Sequence, residues 1–157
     1  MYLELDAVFN TEGERLEFDY SFSLDDDCIV TPVKVCGAVF NKTGIVRIKA
    51  DAKFDYSTSC AKCNKALLKH AKIPVNHLLL THADSDDSDD FIVLDGMRLN
   101  LDELASEDIY LSLPSRFLCK DDCKGLCSIC GTDLNFGQCS CCAPADPRWD
   151  ALKDLLD

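Results

Sequence analysis

Apolar and polar side chains alternate one for one over residues 46–56. Val46, Ile48, Ala50, Ala52, Phe54 and Tyr56 interleave with Arg47, Lys49, Asp51, Lys53 and Asp55. A period of two puts one set on each face of a pleated strand, so this segment is a half-buried β-strand. Val33, Val35 and Val39 stand upstream, followed by the turn sequence Asn41-Lys-Thr-Gly44. The two runs and the turn between them predict a β-hairpin. Residues 2–10, 16–24 and 73–81 read as further strands. Residues 91–94 and 97–99 flank Asp95-Gly96, the signal of a second hairpin.

The period changes at Asn100. This residue is a candidate helix N-cap, and Glu103 follows three positions later as in a capping box. Leu101, Leu104, Ala105 and Ile109 then form a helical apolar stripe that Pro114 ends. Near the end of the chain Asp146 caps, Pro147 takes the first helical position, and Trp149, Leu152 and Leu156 share a face, which predicts a short terminal helix. Residues 84–90 are serines and aspartates without the glycine and glutamate of a calcium loop, so they read as a solvated loop. The fold class expected is α+β: a mostly antiparallel β-sheet with short helices and a C-terminal cysteine-rich module. Residues 1–118 are expected to form a β-rich core, 119–142 a zinc-binding module, and 143–157 a helix packing on the core.

Composition narrows the class. Of 157 residues 47% are hydrophobic, enough for a true core. No apolar run approaches the ~20 residues that span a bilayer, so no membrane is expected as a partner. Residues 1–6 are acidic where a secretory signal is basic, and the protein is expected in the cytoplasm. There the eleven cysteines read as metal ligands or reactive thiols rather than disulfides. The formal charge of −12 disfavours a phosphate backbone as partner unless cations cluster; the acid either simply keeps the protein soluble or suits a basic protein partner.

The cysteines carry the chemistry. Cys127-x-x-Cys130-Gly131 has the spacing of a zinc knuckle, in which two intervening residues let both sulfurs reach one ion and the glycine permits a left-handed turn. Cys139-x-Cys141 can complete a tetrahedron. Cys60-Ala-Lys-Cys63 is a second pair, and Cys119 and Cys123 can complete it. Eight thiols then form two closed sites, Cys60/Cys63/Cys119/Cys123 and Cys127/Cys130/Cys139/Cys141. In the competing arrangement Cys123 serves the knuckle and Cys60 and Cys63 are free. The count of bound ions is thus one or two, and all-sulfur sites accept iron as well as zinc. Cys28 and Cys36 read as small buried hydrophobes, and Cys142 is surplus. No catalytic residue is expected: a catalytic zinc keeps an open position, often beside histidine, and His70, His77 and His82 lie outside metal spacing. A thioredoxin-type role for Cys60 and Cys63 would require a helix N-terminus in a parallel β-α-β unit.

Read in order, these segments resemble one family. The matching features are a strand ending in Cys60-x-x-Cys63, the acidic loop at 84–90, Leu99-Asn-Leu101 and Ile109-Tyr-Leu-Ser-Leu-Pro114. They continue with Cys119-x₃-Cys123-Lys-Gly-Leu-Cys127-x₂-Cys130-Gly131-Thr-Asp-Leu-Asn135, Cys139-x-Cys141 and Asp146-Pro-Arg148. They resemble the YceD-like proteins, the large ribosomal RNA subunit accumulation proteins of bacteria and plastids. The resemblance implies ribosome biogenesis, with a large-subunit precursor, ribosomal RNA or a basic ribosomal protein as partner and no small-molecule substrate. Some members of that family lack the knuckle and keep the upstream pair, which implies that the first site is an independent unit. This chain departs from them in carrying Ala61-Lys62 where arginine is common between the upstream cysteines. Direct contact with RNA would fall to Lys120, Lys124 and Arg148, which Asp121, Asp122 and Asp146 offset.

Overall fold

The computed structural model describes residues 1–82 and 91–141. The segment 84–90, Cys142, Arg148 and the expected terminal helix lie outside the described residues. The elements run β1 (Tyr2–Glu4), α1 (Asp6–Asn10), β2 (Arg15–Phe22), β3 (Val33–Lys42), β4 (Ile45–Ser59), β5 (Ala66–Leu80), β6 (Phe91–Val93), β7 (Arg98–Asn100) and α2 (Leu101–Ser112). Five strands form one sheet in the order β2-β3-β4-β5-β6, and β1 pairs with β7 in a second, two-stranded sheet.

The hairpin expected at Asn41–Gly44 is β3–β4, with Asn41 opposite Val46 and Lys42 opposite Ile45. Its two-residue turn has Thr43 at φ 54° and Gly44 at φ 81°. A turn with two positive φ angles carries the right-handed twist of the flanking strands. Asn41 is the buried polar residue of this corner. Its side-chain amide donates to the Val8 carbonyl at 2.9 Å, and its oxygen accepts from the Gly44 amide at 3.0 Å. Gly37 sits where β3 crowds β4: a Cβ there would lie 2.3 Å from the Lys49 carbonyl oxygen.

Alternation sorts the β4 side chains as expected. Val46, Ile48, Ala50, Ala52, Phe54 and Tyr56 are buried, and Val33, Val35 and Val39 join them from β3. Leu101, Leu104, Ala105 and Ile109, the apolar stripe of α2, are buried too. Asn100 precedes α2 in extended conformation, and its side-chain amide meets the Glu103 carboxylate at 3.2 Å. The cap therefore joins two side chains and leaves the backbone amides untouched. His77 on β5 lies 2.8 Å from Asp108 of α2, and His70 lies 2.8 Å from Asp55.

Three expectations are corrected. Residues 6–10 are helical, because Leu5, Val8 and Phe9 recur at helical spacing and bury Leu5 and Val8. Asp95-Gly96 does not close a hairpin. β6 joins the large sheet parallel to β5, with Leu78 opposite Phe91, whereas β7 pairs with β1 through Leu3 and Leu99. The large sheet is therefore mixed. Cys28 is exposed and Cys36 half-buried, so neither is a buried hydrophobe. Among the described residues no helix is long and apolar enough to cross a membrane.

The chain divides into two compact units. Met1–Thr58 with Leu67–Ser115 form the first, and Ser59–Ala66 with Arg116–Asp157 form the second. All eight cysteines singled out above belong to the second unit.

Candidate metal centres

The second unit is built on two loops of the same design. In the first, Cys60-Ala-Lys-Cys63-Asn64-Lys65, the Asn64 amide donates to the Cys60 carbonyl at 2.8 Å, and the Cys60 amide donates to the Lys65 carbonyl at 2.8 Å. In the other, Cys127-Ser-Ile-Cys130-Gly131-Thr132, the Gly131 amide donates to the Cys127 carbonyl at 2.9 Å, and the Cys127 amide donates to the Thr132 carbonyl at 2.8 Å. The residue after the second cysteine is left-handed in both, Asn64 at φ 56° and Gly131 at φ 73°. Asparagine tolerates that conformation better than other residues with a Cβ, and so replaces glycine in the first loop. The expected knuckle is thus present twice. The upstream copy escapes a search for Cys-x-x-Cys-Gly.

Each loop gathers two more thiols. One sulfur from each of Cys60, Cys63, Cys119 and Cys123 lies within 4.8 Å of the others, and the same holds for Cys127, Cys130, Cys139 and Cys141. Cys60 and Cys123 are 3.8 Å apart, Cys63 and Cys119 3.6 Å. A tetrahedron of metal–sulfur bonds of about 2.3 Å has an edge of roughly 3.8 Å, so these two pairs of the first group already stand at the separation one ion requires. Cys28 and Cys36 belong to neither group. The described cysteines are all free, and Cys123 groups with Cys60 rather than with the knuckle.

Burial distinguishes the groups. Cys60, Cys63 and Cys123 are buried and Cys119 half-buried, whereas Cys130 and Cys141 are exposed. The first group is tied together by main-chain bonds: the Ala61 amide donates to the Phe117 carbonyl at 2.8 Å, and the Leu126 amide to the Lys62 carbonyl at 3.1 Å. Gly125 allows that approach. It has φ 78°, and a Cβ there would lie 2.9 Å from the Lys62 oxygen.

Two polar residues that spacing did not single out hold the sulfurs. The Asn135 amide donates to Cys123 Sγ at 3.4 Å and to Asp133 at 2.6 Å, while its oxygen accepts from the Lys124 amide at 2.9 Å. The Thr132 hydroxyl lies 3.1 Å from Cys130 Sγ. The signal for both is their position, one residue and four residues past the Gly131 turn. Lys120 and Lys124 are exposed, and Lys120 lies 3.7 Å from Asp122.

The thiols share their protons unevenly. Burial pushes Cys60 up, but the amides of Cys63, Cys119 and Lys62 outweigh it and hold the thiol at about 6. Burial, reinforced by donation to the Cys123, Cys63 and Cys60 sulfurs, drives Cys119 up to about 12. The second group repeats the division. The Thr132 hydroxyl and amide bring Cys130 down to about 6, and donation to Cys130 raises Cys141 to about 12. Four adjacent sulfurs cannot all carry charge without a cation, so part of each set stays protonated. A divalent ion removes that restriction, and both groups have the donors, spacing and amide support to hold one.

Comparison with known proteins follows this geometry. Residues 48–156 match the family described as "Large ribosomal RNA subunit accumulation protein YceD". The chain is also 28% identical, over 104 residues, to "Uncharacterized protein ML1660" of Mycobacterium leprae (strain TN). That match covers 63% of this chain and 48% of the relative, so the chain spans about half the length of the curated relative it matches. No solved structure matches. The family match begins in β4, takes in all eight grouped cysteines and extends over well more than half of the sequence: the chain belongs to the YceD family of large ribosomal RNA subunit accumulation proteins.

Proposed function

We propose that this protein is a ribosome-biogenesis factor that promotes accumulation or stability of large-subunit ribosomal RNA. It acts in the cytoplasm as a zinc-stabilised binding and assembly protein, not as an enzyme. The family match over residues 48–156 carries this reading. The partner is the large-subunit precursor, through its RNA or a basic ribosomal protein.

The chemistry of the second unit supports a structural role for the metal. Each group supplies four thiolates, which fill the coordination of a zinc ion and leave no open position for substrate. Zinc has no redox chemistry, and its site is therefore a staple. A thiol–disulfide role for Cys60 and Cys63 is disfavoured. Cys60 is 2% exposed and sits at the start of the β4–β5 connection, not at a helix N-terminus.

The test is the ratio of mature large- to small-subunit ribosomal RNA in cells depleted of the protein. We expect the ratio to fall about twofold or more, to recover with the wild-type chain, and to stay low with Cys127→Ser/Cys130→Ser. An unchanged ratio on depletion would remove the proposed role.

A further inference from the structure

The charge of −12 conceals a segregation. Residues 33–80 form β3, β4 and β5, and hold nine of the sixteen lysines and arginines with two of the twenty-eight acids, a balance of +7. The rest of the chain carries seven cations and twenty-six acids, a balance of −19. Strand alternation brings six of the nine to one side of the first unit's sheet. Lys34 and Lys42 on β3, Arg47, Lys49 and Lys53 on β4, and Lys72 on β5 alternate with the buried positions of their strands.

Register concentrates them further. Lys34 stands directly opposite Lys53, a like-charge pair that costs stability in an isolated sheet. Phe40, half-buried on the same side, stands between Arg15 of β2 and Arg47 of β4. Phe40, Lys42, Thr43, Ile45, Arg47 and Lys49 line an open cleft of about 340 Å³, and no acid lines it. Elsewhere on this side Lys72 lies 3.1 Å from Asp51, Lys34 3.5 Å from Asp19, and Arg15 2.9 Å from Glu17, while Lys53 makes no ion pair among the described residues. Lys42, Arg47 and Lys49 make no ion pair among the described residues.

We infer that this cleft, formed by Phe40, Lys42, Arg47 and Lys49, binds the backbone of single-stranded RNA, with the Phe40 ring as a platform for one base. Cations that follow phosphates and an aromatic face that accepts any base are the two parts of sequence-tolerant single-strand recognition. An acidic polypeptide would use the cations and leave the ring without a role. The choice of RNA as polyanion rests on the function proposed above; the cationic cleft does not.

The metal-loaded full chain is titrated into a fluorescently labelled oligouridylate at increasing potassium chloride. We expect log K to fall linearly with log salt with a slope of about −2, the value for roughly three phosphates on a single strand. Arg47→Glu or Lys49→Glu should each weaken binding several-fold, and Phe40→Ala roughly tenfold. Arg116→Glu, the same charge change at an exposed position of the second unit, should stay within about twofold of wild type. Absence of binding, or binding that survives the Arg47 and Lys49 changes, overturns the inference. Tighter binding of polyglutamate of equal length does so as well, and gives the cleft to an acidic protein segment. Because charge reversal in a strand can perturb folding, the wild-type chain is also photo-crosslinked to a 4-thiouridine oligonucleotide and mapped by mass spectrometry. Adducts on β3 and β4 support the cleft, and adducts confined to the cysteine-rich unit overturn it. Loss of large-subunit RNA on depletion without oligonucleotide binding leaves the role standing and removes this surface. Binding through the cleft without any loss of that RNA does the reverse.

Discussion

At the scale of single residues, the cysteine spacing was informative because one ion constrains four sulfurs, and Cys-x-x-Cys places two of them. Cys127, Cys130, Cys139 and Cys141 could be grouped from the sequence alone for that reason. The assignment of Cys123 could not, since it stands four residues from both Cys119 and Cys127. The structure groups it with Cys60. Asn64 carries no such signal, because the left-handed turn it makes at φ 56° is usually a glycine's. Proton sharing within each set has a measurable consequence. An ion binds thiolates, so binding at neutral pH must displace protons from thiols held high, Cys119 and Cys141 at about 12. Metal affinity therefore rises with pH. As pH falls through about 6, Cys60 and Cys130 retain protons too, and more must leave per ion bound. We predict that log K for metal changes more steeply with pH below about 6 than between 7 and 8. Competition with a chromophoric chelator at a series of pH values measures this, and a constant slope across that range would refute it.

At the scale of elements, β3, β4 and α2 were legible because their local signals agree with their burial. Period-two alternation, a two-residue turn and a helical stripe each survive intact. The failures share a cause. Residues 91–100 carry a strong local turn, but the partners of β6 and β7 come from β5 and from the start of the chain, and no local pattern encodes a distant partner. The β4–β5 connection is where element and site meet, because it bears the Cys60 loop, whose partners Cys119 and Cys123 lie more than fifty residues later. We predict that the purified wild-type chain contains two zinc ions and that Cys60→Ser/Cys63→Ser contains one, measured by elemental analysis. One ion in both proteins would confine the metal to the second group, and two in both would remove Cys60 and Cys63 from the ligand set.

At the scale of the whole molecule, the two units draw their stability from different sources. The first has an apolar core: Val33, Val35, Val39, Ile48, Phe54, Val75, Leu79, Leu101 and Ile109 are each at most 2% exposed. The described part of the second buries mainly cysteines, and leaves Leu126, Ile129 and Phe136 at 41, 53 and 88% exposure. A unit with so little buried hydrocarbon depends on cross-links, and a structural zinc site contributes about 10–16 kcal/mol of apparent binding energy to folding. Chelation should therefore act selectively. We predict that removing the metal with a strong chelator abolishes hydrogen-exchange protection of the Cys60, Leu126, Cys127 and Gly131 amides, whose bonds close the two cysteine loops. The amides linking β3 to β4 should keep most of their protection, because an apolar core holds that sheet. Exchange measured by mass spectrometry before and after chelation, then after zinc is restored, reads both units at once. Uniform loss of protection would mean that the sheet also depends on the metal. Unchanged protection around Cys127 would mean that hydrogen bonds alone hold the cysteine loops, and would remove the structural role assigned to the ion.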